Sequence, residues 1–268
     1  MTRLLRTNFF KIFHSWSFWL MALILPFINI FTIINNDREY LGQINDSGID
    51  RWNLMQCSES CFDHMSYINF FVLILAGILI GDEFSSGTIR NKINAGYSRV
   101  QIYLTYSIAA VVESLMIHLI CVLTAYTVCT IRYGYDGCVN MLFNLITNSI
   151  APVAALALMT VFFIIAAGDC IIGMAAMLVT DIAVNYIAVG YMTDKLRFSP
   201  ETVSQSERNL FLIIDSLIPG SYSDWFAIFR KKSALMGTTV IPSCGWCYIT
   251  AIVFLISGLI LFNKKDMK

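Results

Sequence analysis

The stretch LITNSIAPVAALALMTVFFIIAAGDCIIGMAAMLVTDIAVNYIAVGY, residues 145–191, decides the fold class. Residues 145–167 carry no charge, and residues 170–191 carry only Asp181. Each run is about the 20 residues that a helix needs to cross a bilayer core of roughly 30 Å. In hydrocarbon every backbone amide and carbonyl must be satisfied within its own segment or a closed barrel. The in-out alternation of barrel strands is absent, so both runs read as helices. Gly168-Asp169 leaves room for only a tight turn between them, and the pair reads as a helical hairpin.

Working outward, similar runs occupy residues 101–127, 66–81 and 16–34 on one side and 246–262 on the other. The whole chain, 1–268, therefore reads as a single all-α polytopic membrane domain with six transmembrane helices. Composition agrees: 57% of residues are hydrophobic and 13% charged, which leaves no material for a sizeable soluble domain. The first span, opened by Trp16 and Trp19 at interfacial depth, reads as retained, because no small-residue cleavage site follows the basic start. Residues 2–14 place Leu4, Leu5, Phe9, Ile12 and Phe13 on one helical face and Arg3, Arg6 and Lys11 elsewhere. That pattern suits an amphipathic helix at the membrane surface, or simply the basic flank of the first span. The apolar stretch 210–218 is too short to cross and ends at Pro219-Gly220.

Charge placement carries topology. With both termini cytoplasmic, Arg3, Arg6, Lys11, Arg90, Lys92, Arg99, Lys264, Lys265 and Lys268 all fall inside, as the positive-inside rule favours. Residues 35–65 are then external and acidic. Residues 193–243 are external too, although they hold six Lys and Arg; long loops translocate largely regardless of charge. A net charge of zero argues against nucleic acid as a partner.

The cytoplasmic segment 82–99 is the most informative: Gly81-Asp82-Glu83-Phe84-Ser85-Ser86-Gly87-Thr88-Ile89-Arg90-Asn91-Lys92-Ile93-Asn94-Ala95-Gly96-Tyr97-Ser98-Arg99. Ser85 or Ser86 is placed to cap a short helix, Ile89 and Ile93 share one face, and Gly96 ends it. Such an element presents a small apolar and basic knob to the cytoplasm. On composition alone it is an ordinary inside loop made basic by topology.

In order and spacing, Glu83, Phe84, Gly87, Thr88, Ile89, Arg90, Lys92, Gly96, Ser98 and Arg99 resemble the pattern that follows the second span in bacterial type-2 ATP-binding-cassette (ABC) transporter permeases. The resemblance covers the chain in architecture and residues 81–103 in motif. It implies that 82–99 forms a coupling helix docking in a groove of a separate ATP-binding subunit, beside an amino-terminal interfacial helix. It further implies two permease chains, as a homodimer or heterodimer, with two ATPase copies that bind ATP and Mg. ATP-driven closure would then tilt the permease halves between inward- and outward-facing states. Members of similar length include exporters of antimicrobial peptides, some protecting against lantibiotics or bacitracin-like compounds. No Gly-x-x-x-x-Gly-Lys-Ser/Thr phosphate loop occurs, so the chain is expected to be a transport subunit and no enzyme by itself, without a cofactor of its own.

Glu113 and His118 in the third span, and Asp181 and Asn185 in the fifth, are intramembrane polar groups that should avoid lipid. They line a substrate path or hold helices together by interhelical contacts. No metal-ligand spacing is present, so no metal site is expected. Among eight cysteines, Cys57 with Cys61 and Cys244 with Cys247 are spaced for local disulfides on the external side; a bridge between the two external regions, or free thiols, fit equally. The Cys244-Gly-Trp-Cys247 pair also opens an alternative, a membrane thiol–disulfide oxidoreductase.

Overall fold

A computed structural model describes residues 1–44, 64–133, 139–183, 206 and 245–264. All regular structure among them is helical: α1 (Thr2–His14), α2 (Trp16–Ile44), α3 (Met65–Ser85), α4 (Thr88–Asn94), α5 (Arg99–Tyr133), α6 (Val139–Ala167), α7 (Cys170–Ala183) and α8 (Gly245–Lys264). Cys57, Cys61, Cys244 and Asn185 lie outside the described residues, as do residues 45–63 and nearly all of 193–243.

Four helices among the described residues are long and apolar enough to cross a membrane, over Trp16–Asn35, Arg99–Ile131, Ser149–Ala167 and Cys247–Lys264. Among the described residues the apolar parts of α3 and α7, Tyr67–Gly81 and Cys170–Ala183, are shorter, α7 ending where the described stretch ends. Pro26 and Pro152 sit inside α2 and α6 without ending them, as neighbouring helices allow in a membrane bundle.

Helix α6 is the hub, packing against α3, α5, α7 and α8. Two thirds of its apolar window is buried, 67%, against 28% for α2 and 22% for α8. The outer helices accordingly expose Leu23, Phe27, Phe31, Ile252, Val253 and Ile256. An apolar face of that extent suits lipid or another apolar chain rather than water.

The hairpin expected from Gly168-Asp169 is present. Gly168 turns at φ 73°, its N–H bonding Ile164 O at 3.0 Å, and Asp169 Oδ1 accepts the Ile172 N–H at 3.0 Å. Asp169 thus caps the first turn of α7, satisfying a donor that the helix start leaves open. Asp169→Ala is expected to lower stability by about 1 kcal/mol in an unfolding titration in detergent, with Asp169→Asn close to wild type.

Several boundaries differ from the sequence reading. Helix α2 runs on to Ile44, into the stretch assigned to the external loop, and α5 reaches Tyr133 rather than ending near residue 127. Polar residues continue both helices because nothing there breaks them. Helix α1 is amphipathic, but its buried stripe is Leu4, Asn8 and Ile12, while Phe13 is exposed. It rests against α5, and Ser15 in an extended conformation turns the chain into α2. Trp19 Nε1 donates to Phe13 O at 2.8 Å across that corner.

Candidate functional site

Helix α3 continues through Glu83 and Phe84 to Ser85, so these two residues close a long helix instead of opening the short one. The cap of α4 is also not a serine. Gly87, at φ 66°, provides the start with no side-chain cap, and the Ser86 hydroxyl lies 2.7 Å from that of Thr88. Left-handed backbone costs glycine little and a residue with a Cβ more, which explains the glycine here. Gly96, at φ 88°, ends α4 as expected: its N–H bonds Ile93 O at 3.0 Å and the Tyr97 N–H bonds Lys92 O at 3.2 Å. This double bond pattern is the Schellman stop.

The polar centre of this region is the Glu83 carboxylate, 1% exposed. Lys11 Nζ from α1 donates to its Oε1, and Lys92 Nζ from α4 and Tyr106 Oη from α5 both donate to its Oε2. Lys92 also donates to Tyr106 Oη at 2.9 Å and lies 4.8 Å from the centre of that ring. One carboxylate therefore ties four helices. Burial alone would push the Glu83 carboxyl up, but the bonds from Lys11, Lys92 and Tyr106 together outweigh it and hold it below the usual range. Burial pulls Lys92 below the usual lysine range, against the attraction of the carboxylate.

The apolar face of α4 turns inward. Ile89 is 2% exposed and Ile93 packs against the core, so the expected knob does not offer its isoleucines to a partner. The outward face carries Arg90, Asn91 and Asn94. Arg99, placed in the coupling segment by sequence, binds within the chain: its Nη1 donates to Asn263 O at 3.0 Å and to Phe262 O at 3.4 Å, satisfying carbonyls left open at the end of α8. Phe84 lies half-buried in a cleft beside Gly81, Gly168 and Cys170, so the α6–α7 turn sits at the same end of the bundle.

The intramembrane residues separate into different environments. Glu113 and His118 do not meet. His118 joins a buried chain in which Nδ1 is 2.8 Å from His64 Nε2 and Nε2 is 2.7 Å from Ser149 Oγ, while His64 Nδ1 is 3.5 Å from Asn29 Nδ2. Ser149 Oγ in turn donates to Ile146 O at 2.8 Å. One neutral tautomer of each histidine satisfies the whole chain, with Asn29 donating to His64, His64 to His118 and His118 to Ser149. Asp181 accepts from Asn69 Nδ2 at 2.9 Å, linking α7 to α3. Both are interhelical contacts, and Glu113, His118 and Asp181 are all buried from the bundle surface. Cys247 is fully buried in the first turn of α8, and its candidate partner Cys244 lies outside the described residues.

Sequence reasoning found Glu83 and Lys92 but not their partners Lys11 and Tyr106, nor His64 and Asn69. The available signal for the first was charge: Lys11 is the lysine of α1 nearest the first span, and Glu83 is one of two acids, with Asp82, at the head of a segment that otherwise carries Arg90, Lys92 and Arg99. Among the described residues no group of three metal-ligating side chains forms. No protein-family model matches this sequence, and no curated protein matches it.

Proposed function

We propose that this chain is the membrane-spanning permease subunit of an ABC exporter, working with a separate ATP-binding subunit. One observation carries the reading: a seven-residue helix, α4, is tied through Glu83 to α1, α3 and α5, while Arg90, Asn91 and Asn94 remain exposed. A push on the exposed face of α4 would reach three other helices through one buried carboxylate. That is the mechanical requirement for coupling an external motor to a bundle that itself lacks a phosphate loop.

In this reading the chain has six spans in a bacterial plasma membrane, with both termini in the cytoplasm and α1 along the inner surface. Two permease chains, identical or not, assemble with two ATPase copies that bind ATP and Mg. The cargo suggested by the resemblance is amphiphilic, antimicrobial peptides among them, and moves outward.

The test is ATP hydrolysis by this chain co-expressed and purified with a cognate ATP-binding protein. Arg90→Ala is expected to weaken association or stimulated hydrolysis at least tenfold while leaving the unfolding midpoint of the permease unchanged, since an exposed side chain adds little to stability. A complex that forms and hydrolyses ATP identically in Arg90→Ala and in a variant with Arg90, Asn91 and Asn94 all replaced would remove α4 as the docking element.

A further inference from the structure

A cavity of about 390 Å³ opens at the corner between α1 and α2 and runs inward against α3 and α5. Phe10, His14 and Ser17 stand among its lining residues on the α1–α2 side, Ile78 and Leu79 on the α3 side, and Glu113 is its acidic member. Glu113 is 4% exposed, and its Oε2, fully shielded from solvent, has no hydrogen-bond partner among the described residues. Lys11, the cation on the same wall, is already engaged by Glu83. His14 Nδ1 is 3.0 Å from Phe10 O within its own helix. A buried carboxyl oxygen without a donor keeps its full desolvation penalty, so a site that holds one is incomplete.

What completes it must bring a donor to Glu113 and an apolar body to the rest of the wall. Phe10, 60% exposed, and Ile78, 37% exposed, stand at the opening, where α1 meets the bundle. The geometry points to a binding site for an ammonium-bearing amphiphile, the ammonium on Glu113 and its chain along Leu79 and Ile78. A charge-assisted bond from an ammonium is the strongest complement such a buried carboxyl can receive. The site is separate from the Glu83 cluster and stands whether or not an ATPase docks on α4.

The experiment is titration of dodecylamine, with dodecanol as the uncharged control, into the full chain in phosphatidylcholine nanodiscs. The readout is binding by tryptophan fluorescence and native mass spectrometry. Saturable binding of one dodecylamine per chain is expected, weakened about tenfold or more in Glu113→Gln and in Ile78→Trp, which fills the opening and keeps the carboxyl. Dodecanol should show no dependence on Glu113. Nanodiscs containing phosphatidylethanolamine identify the source of the ammonium: competition assigns the site to a resident lipid, and its lack assigns it to a soluble amphiphile. Equal dodecylamine affinity in wild type and both variants overturns the proposal. If Glu113→Gln does not fold, Ile78→Trp alone decides it.

Discussion

Glu83→Ala is expected to lower the unfolding free energy of the detergent-solubilised chain by about 3–5 kcal/mol, the usual cost of removing one partner of a buried charge cluster. The reason lies in what is left behind. Lys92 lies 4.8 Å from the centre of the Tyr106 ring with a side chain only 12% exposed, and without Glu83 its ammonium keeps a single phenolic partner. Lys11 behaves differently. Its side chain is 43% exposed, so Lys11→Met should cost about 1–3 kcal/mol, less than Glu83→Ala, because the lysine end is solvated while Glu83 Oε1 stays buried without a donor. The double variant Glu83→Leu with Lys92→Met should recover most of the loss, since it removes both buried charges together. On the proposed reading with a separate ATP-binding subunit, recovery of stability without recovery of stimulated ATP hydrolysis would assign the cluster to force transmission and not merely to holding the fold.

The same cluster predicts a pH dependence. The folded carboxyl titrates below its ordinary value of 4.5, so its contribution is complete above that value and is lost as pH falls through the folded pKa. An acid series of unfolding midpoints should show that decline in wild type and not in Glu83→Gln. A Glu83→Ala variant within about 1 kcal/mol of wild type would mean that the carboxylate is solvated and the four-helix tie is not real.

The contrast between what the sequence disclosed and what it hid follows the range of the interactions. Helix type, the 168–169 turn and the Gly96 stop were legible because each is written in adjacent residues: uninterrupted apolar runs, a Gly-Asp pair, a glycine where left-handed backbone is needed. The start of α4 departs from expectation for a local reason: serine is a good cap on average, but α3 runs through Ser85 and the break falls at Gly87. The partners of Glu83 were hidden because Lys11 is 72 residues away and Tyr106 is 23 away. Without the packing of α1 on α5, nothing in the one-dimensional pattern brings them to one carboxylate. His118 shows the same limit: its position in a span marks it as a polar group that avoids lipid, but its contact is with His64, which the sequence pattern places in the polar stretch 35–65.

Close helix approach is likewise invisible along the chain, and it sets the second large effect. Gly173→Ala is expected to destabilise the bundle by about 3 kcal/mol or more, at or beyond the upper end of ordinary overpacking. A Cβ at residue 173 would stand 2.4 Å from Ile164 Cα, 2.8 Å from Ile164 N and 2.9 Å from Phe163 O. All three are backbone atoms of α6, the helix against which α3, α5 and α8 also pack, so relief requires moving the hub or prising α7 away from it. Small residues at such crossings are what let membrane helices gain dispersion contacts, because lipid offers no hydrophobic drive for association. Gly77→Ala supplies the control. Its Cβ would meet Met174 Sδ at 2.3 Å, but a methionine thioether can swing aside, so the cost should stay near 1 kcal/mol. Unfolding titrations of the two variants in the same detergent separate the cases, and equal costs would show that α7 does not lie against α6 as closely as these distances require.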